Sequence, residues 1–92
     1  MTIFEWDEKK AHTNLKKHGV SFDEAVTVFL DPLSITVADP SHSETEYRFL
    51  DIGLSDQGRL LVISYTERAS RIRIISSRPA LPAERKAYEK SN

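Results

Sequence analysis

Arg71 and Arg73 stand two apart in the run Arg71-Ile72-Arg73-Ile74-Ile75-Ser76-Ser77-Arg78. In an extended chain that spacing puts both guanidiniums on one face of a strand, with Ile72, Ile74 and Ser76 on the other. Arg78 has the parity of Ile72 and falls at the strand's end. Arg68 precedes the strand, in the turn after Tyr65-Thr66-Glu67, and Arg85 follows it on a helix. Guanidinium forks bind phosphate oxygens in pairs and stay charged at any cellular pH. Such a cluster suits a nucleic-acid backbone. The other reading is that Arg71 and Arg73 form surface ion pairs with the acidic N-terminal part of the chain.

Groups that exchange protons lie near these arginines in sequence. Glu84 and Tyr88 are four apart and share a side of one helix. A carboxylate or phenol beside arginines can move protons at a phosphate; equally, Glu84 can cap the helix and Tyr88 can pack in the core. Lys16-Lys17-His18-Gly19 is a second basic spot. Its cations suit the negative end of a helix dipole. Lys17 can also meet phosphate, and His18 has the side chain most often used for proton transfer near neutrality. His12 reads as a surface histidine and His42 as a loop residue. Trp6 reads as a core anchor, and Tyr47 and Tyr65 as sheet packing or as platforms for a base.

Several chemistries lack residues. The three glycines, Gly19, Gly53 and Gly58, are not grouped into a phosphate loop. No metal-ligand spacing and no nucleophile elbow are present, so neither metal nor cofactor is expected. The absence of cysteine removes disulfides and thiol chemistry and suits a reducing cytoplasm. Residues 1–7 lack a basic region followed by an apolar block, so no secretory signal is expected. No apolar run approaches the roughly 20 residues of a membrane span.

The elements that must position these residues follow from pattern. With 92 residues, 39% hydrophobic and 29% charged, the chain is expected to form one domain over residues 1–92. Residues 2–6 read as a short edge strand. Asp7 caps a polar helix through about Lys17, with Ala11 and Leu15 as its apolar stripe and Gly19 as its stop. Ser21 and Glu24 form a capping box, and Phe22, Ala25, Val26 and Phe29 follow at amphipathic spacing to Asp31-Pro32. Leu33 to Val37 reads as a strand, and Asp39-Pro40-Ser41-His42-Ser43 as a polar loop. Strands over Glu46–Leu54 and Arg59–Thr66 flank the hairpin loop Ser55-Asp56-Gln57-Gly58. Arg71–Ser77 is the last strand. Pro82 opens a final helix to about Lys90, with Ala80, Ala83, Ala87 and Tyr88 on one side. The order β-α-α-β-β-β-β-α predicts an α+β fold, an antiparallel sheet of four to five strands packed by helices. Charge is divided too: residues 1–52 carry net −5 and residues 53–92 net +4, within a total of −1. That division suggests an anionic partner for one face, or simple neutralisation of one part by the other.

The chain resembles the BrnT family of bacterial toxins. Phe4-Glu5-Trp6-Asp7, Lys10, Asn14 and Lys17-His18-Gly19-Val20-Ser21-Phe22-Asp23-Glu24-Ala25 are similar to that family's opening. Tyr65-Thr66-Glu67-Arg68, the run Arg71 to Ala80, Glu84-Arg85 and Tyr88 are similar to its ending. The pieces occur in order over nearly the whole length. Ser77 departs from the family's usual alanine, and residues 39–47 match no pattern. The resemblance implies a RelE-like fold and a cytoplasmic, metal-independent ribonuclease toxin of a type II toxin–antitoxin pair. It implies a ribbon-helix-helix antitoxin of the BrnA type, with operator DNA bound only by the complex, and no membrane. It also implies cleavage by attack of the RNA 2′-OH on the adjacent phosphorus. Such a reaction needs a base, an acid and charge stabilisation at the phosphate. Arg68 and Arg78 are the expected phosphate clamps, with Lys17, Arg71, Arg73 and Arg85 as RNA contacts. Glu67, Glu84, His18 and Tyr88 are the candidates for proton transfer. A second function class is a RelE-like module that only partners the antitoxin and helps it repress transcription.

Overall fold

The computed structural model describes residues 2–39 and 47–92. The elements are β1 (Ile3–Glu5), α1 (Glu8–His18), α2 (Phe22–Thr27) running into a 3-10 turn (Val28–Leu30), β2 (Ile35–Asp39), β3 (Arg48–Leu54), β4 (Leu60–Arg68), β5 (Arg71–Pro79) and α3 (Pro82–Lys90). The polar loop expected around His42, and the expected strand start at Glu46, lie outside the described residues.

Local chemistry sets the boundaries. The Asp7 carboxylate accepts hydrogen bonds from the Lys9 and Lys10 amides, at 2.8 and 3.2 Å, and starts α1. Gly19 closes it in the left-handed conformation, φ 69°, donating its N–H to the Leu15 carbonyl at 2.9 Å. The Ser21 hydroxyl accepts from the Glu24 amide at 3.0 Å. Glu24 does not reach back to complete the box; its carboxylate binds Arg59 and Ser55 instead. Gly58, φ 74°, turns the β3–β4 hairpin.

The sheet order is β1-β5-β4-β3-β2. Four strands are antiparallel in sequence, but β1 lies parallel to β5. The sheet is therefore mixed rather than wholly antiparallel. Both helices of the N-terminal part separate β1 from the next strand, which gives enough chain to cross to the opposite edge.

One sheet face is covered by α1, α2 and the 3-10 turn. There Val20, Phe22, Ala25, Val28, Leu61, Ile63, Tyr65 and Ile74 are buried, with Phe4, Trp6, Phe29, Phe49 and Ile72 packed against them. Each fully buried large apolar side chain contributes about 1.5–3 kcal/mol. Trp6 meets Phe22 edge-on at 5.8 Å, and Phe29 meets Tyr65 edge-on at 5.0 Å. On the other face α3 covers one end only, where Tyr88 packs with Ile52, Leu60 and Val62.

Several expectations shift. β2 begins and ends two residues later than Leu33–Val37. Arg68 closes β4 instead of lying in the following turn, which is Ala69-Ser70 with Ala69 at φ 55°. On α3 only Tyr88 is buried, while Ala83 and Ala87 face solvent. On α1 the expected Leu15 is 49% exposed, and the buried residue is Asn14.

Candidate functional site

Cross-strand partners share a face of a sheet. Between β4 and β5 the register is regular except at one place: Ser64 pairs with Ser76, but Tyr65 pairs with Ile74. Ile75 is thus the extra residue of a β-bulge. Past it the alternation inverts. Arg78 was expected opposite Arg71 and Arg73; the bulge brings it to their face, opposite Val62. Ser76 changes face with it.

The register then gathers five of the seven arginines. Arg68 faces Arg71, Arg73 faces Thr66, and Thr66 faces Arg48 on its other side. Arg78 stands farther along, so Arg48, Arg68, Arg71, Arg73 and Arg78 share the face that α3 covers at one end only, with Arg78 at that end. One rung crosses all five strands: Glu5, Arg73, Thr66, Arg48, Asp39. At its centre the Thr66 hydroxyl is fully buried and has no hydrogen-bond partner among the described residues. Arg48 was not singled out in the sequence. Its parity is visible there, but the register that aligns it with Arg73 is set by two hairpins and cannot be read from one strand.

These arginines form two groups. Arg68 sits at the β4–β5 turn with Arg71 and Arg73, and Arg48 shares the rung of Arg73. Arg78 sits at the opposite end, beside α3. Six residues of β4 separate Arg68 from the partner of Arg78, roughly 20 Å of strand. Arg68 and Arg78 therefore do not clamp a single phosphate; they lie along the path of a chain.

Most of this charge has internal partners. Arg73 donates to Glu5 at 3.0 Å, and Arg71 lies 3.6 Å from the same carboxylate. Arg78 makes a two-pronged bond to Glu84, at 2.8 and 2.7 Å. Glu84 also accepts the Leu81 amide at 2.8 Å, which caps α3. The Arg78 guanidinium, against the cost of burial, holds the Glu84 carboxyl below the usual range, which makes it a weak base. Tyr88 donates its hydroxyl to Asp31 at 2.6 Å, and that bond with burial pushes it up to about 12. Asp31 also takes the Leu54 and Leu33 amides, so Tyr88 ties α3 to the turn before β2. Arg85 is exposed on α3.

Lys17 and His18 are elsewhere. They lie at the end of α1, on the helix-covered side of the sheet, in a cleft against Ile75 and Ser76 of β5. Glu67 is exposed near the end of β4. The structure thus places the proposed phosphate-binding and proton-transfer groups in three places rather than one. Tyr65 is buried, with its hydroxyl 3.3 Å from Asp51, and packs as a sheet residue; Tyr47 is 73% exposed.

Two buried polar arrangements had no counterpart in the sequence reading. Glu24, 4% exposed, binds the Arg59 guanidinium and the Ser55 hydroxyl, the latter at 2.7 Å. Asn14 donates to the carbonyls of Val20 and Ser77, at 3.0 and 2.8 Å, and accepts the Ser77 amide at 3.1 Å. Its carboxamide stands in for a neighbouring strand where β1 has ended. The signal that could have found it was a single asparagine inside a helix, where its low propensity calls for a reason.

Comparison with known proteins agrees with this architecture. Residues 6–84 match the model of a family described as ribonuclease toxin, BrnT, of type II toxin–antitoxin system. The crystal structure of the Brucella abortus ribonuclease toxin, BrnT, is similar, with a TM-score of 0.65 and 28% identity. The match covers 88% of this chain and 97% of that one. No curated protein sequence matches the chain.

Proposed function

The chain belongs to the BrnT family of ribonuclease toxins of type II toxin–antitoxin systems, and from that premise we propose that it cleaves a single RNA strand laid along its open sheet face, without a metal ion. The observation that carries this reading is the bulge at Ile75, which brings Arg78 onto the face of Arg68, Arg71 and Arg73. An RNA backbone crossing that face meets a guanidinium at each end of β5, on different phosphates. The 2′-OH attacks the adjacent phosphorus and gives up its proton to solvent. The P–O5′ bond breaks, and the 5′-oxygen takes a proton from solvent as it leaves, so that a 2′,3′-cyclic phosphate and a 5′-hydroxyl result. The arginines hold the charge that grows on the non-bridging oxygens. Arg78 is the group for the reacting phosphate: two of its N–H donors hold Glu84, and the guanidinium keeps others of its five for an anion. Arg68, Arg71, Arg73 and Arg85 hold the flanking backbone. Metal independence is part of this proposal.

The family has an antitoxin partner. That partner is a ribbon-helix-helix protein of the BrnA type in this proposal, and the pair represses its own operator. The place of action is the cytoplasm. No described helix is long and apolar enough to cross a membrane.

The test is a digest of total RNA in EDTA by wild type, Arg68→Ala/Arg78→Ala and Glu84→Gln, each checked for folding by thermal unfolding. Wild type is expected to leave cyclic-phosphate or 3′-phosphate ends. The double variant should lose at least about a hundredfold in rate. Glu84→Gln breaks the same ion pair yet keeps the guanidinium, so it should cleave. Equal loss in both variants would make Arg78 a structural residue, and loss of wild-type cleavage in EDTA would end the metal-independent mechanism. If naked RNA is untouched and translating ribosomes restore cleavage, the RNA must be presented by the ribosome.

A further inference from the structure

Cations without a carboxylate partner also lie away from the arginine face. Among the described residues Arg59, Arg71, Arg73 and Arg78 have carboxylate partners, whereas Lys9, Lys10 and Lys17 form no ion pair. These three lysines line one cleft of about 300 Å³ with Thr13, His18 and Ser76, and among the described residues no acidic side chain lines it.

The placement is regular. Lys9, Thr13 and Lys17 are four apart and form one row along α1; Lys10, Asn14 and His18 form the next. The first row spans about 12 Å of helix. Lys16 and Lys17 suit the C-terminal end of the dipole, but Lys9 and Lys10 occupy the first turn, where the dipole disfavours cations. The Asp7 carboxylate that caps the helix offsets this for Lys10, and Lys9 has no ion-pair partner among the described residues. The floor is rigid, because every polar atom of the Asn14 carboxamide is used on Val20 and Ser77. Beyond Arg73 no strand among the described residues pairs with the outer edge of β5, since β1 spans only the partners of Arg71–Arg73. The cleft therefore opens at that edge, and Ser76, paired with Ser64 across the sheet, forms part of its wall.

We propose that the α1–β5 cleft is a second nucleic-acid subsite, in which Lys9, Lys10 and Lys17 hold the phosphates of a single RNA strand that passes over the edge of β5. Binding here is electrostatic and independent of base sequence. This goes beyond the ribonuclease reading, which places the reacting phosphate beside Arg78.

The experiment measures binding of a fluorescent 2′-O-methyl RNA oligonucleotide, which lacks the attacking hydroxyl, across a range of salt. Wild type is compared with Lys9→Gln/Lys10→Gln/Lys17→Gln; all three side chains are exposed, and a thermal melt checks the fold. The variant should bind at least tenfold more weakly, and its salt slope should fall by about 2, at roughly 0.7 per lost phosphate contact. Unchanged affinity and slope overturn the proposal. So does a variant that keeps oligonucleotide binding but loses the antitoxin, since the cleft then serves an acidic protein segment. The RNA digest with wild type reports on the catalytic reading separately: a protein that binds in this cleft but never cleaves would sink that reading and leave the subsite standing.

Discussion

At the scale of single residues, the carboxylates show how burial and partners decide a role. Glu24 looks in sequence like the acid of a capping box, and its Ser21 partner does cap α2. The carboxylate itself is drawn across the molecule by Arg59, a partner 35 residues away that no local pattern can announce. The Arg59 guanidinium, with help from Ser55 and against the cost of burial, holds the Glu24 carboxyl below the usual range. Its folded pKa then lies below the unfolded one, so its contribution to stability is complete above the unfolded pKa and is lost as pH falls through the folded value. Glu24→Gln should be less stable than wild type at neutral pH, and the difference should shrink below roughly pH 4, which denaturant unfolding at a series of pH values will show. A constant difference across that range would mean that the charge of Glu24 does not matter. Asp51 behaves oppositely: burial raises its pKa over the opposing bonds from Thr36 and Tyr65, so the fold favours its protonated form.

At the scale of elements, caps and breakers were legible because they are local. Asp7, Gly19, Ser21, Gly58 and Pro82 each fix a boundary through contacts within a few residues. What was not legible is long-range register. The parity of Arg71 and Arg73 was correct, but the face of Arg78 turns on one inserted residue, and a bulge leaves no mark in a run of isoleucine and serine. The partner of β1 was equally hidden, because three residues do not carry direction. That partner has a functional consequence. Parallel pairing sets Glu5 opposite Arg73 and within reach of Arg71, so β1 partly neutralises one end of the arginine face. Glu5→Gln keeps the strand but removes the charge. It should tighten binding of the 2′-O-methyl oligonucleotide severalfold and steepen the salt slope by about 0.7 for each arginine released. An unchanged slope would show that Arg71 and Arg73 do not meet the RNA.

At the scale of the whole molecule, a net charge of −1 is unusual for a protein that must hold a polyanion. Distribution resolves this. Acidic side chains are spent internally, on Arg59, Arg78, Asp7's helix cap and the Glu5 pair, while cations collect on the sheet face and in the α1 cleft. Neither surface is strongly positive by itself, so a strand long enough to reach both gains from linkage: once one part is bound, the other meets its site at high effective concentration. An oligonucleotide of about four nucleotides can occupy one surface only, and one of about twelve can cross the edge of β5 and occupy both. The longer one should therefore bind wild type far more tightly than the short one, beyond what the number of registers provides. Lys9→Gln/Lys10→Gln/Lys17→Gln should abolish most of that gain while leaving the short oligonucleotide's hold on the arginine face. Arg71→Ala/Arg73→Ala should abolish it as well, from the other side. If the two variants lower affinity for the long strand independently, with effects that simply add and no dependence on length, each surface binds its own RNA and no strand crosses β5.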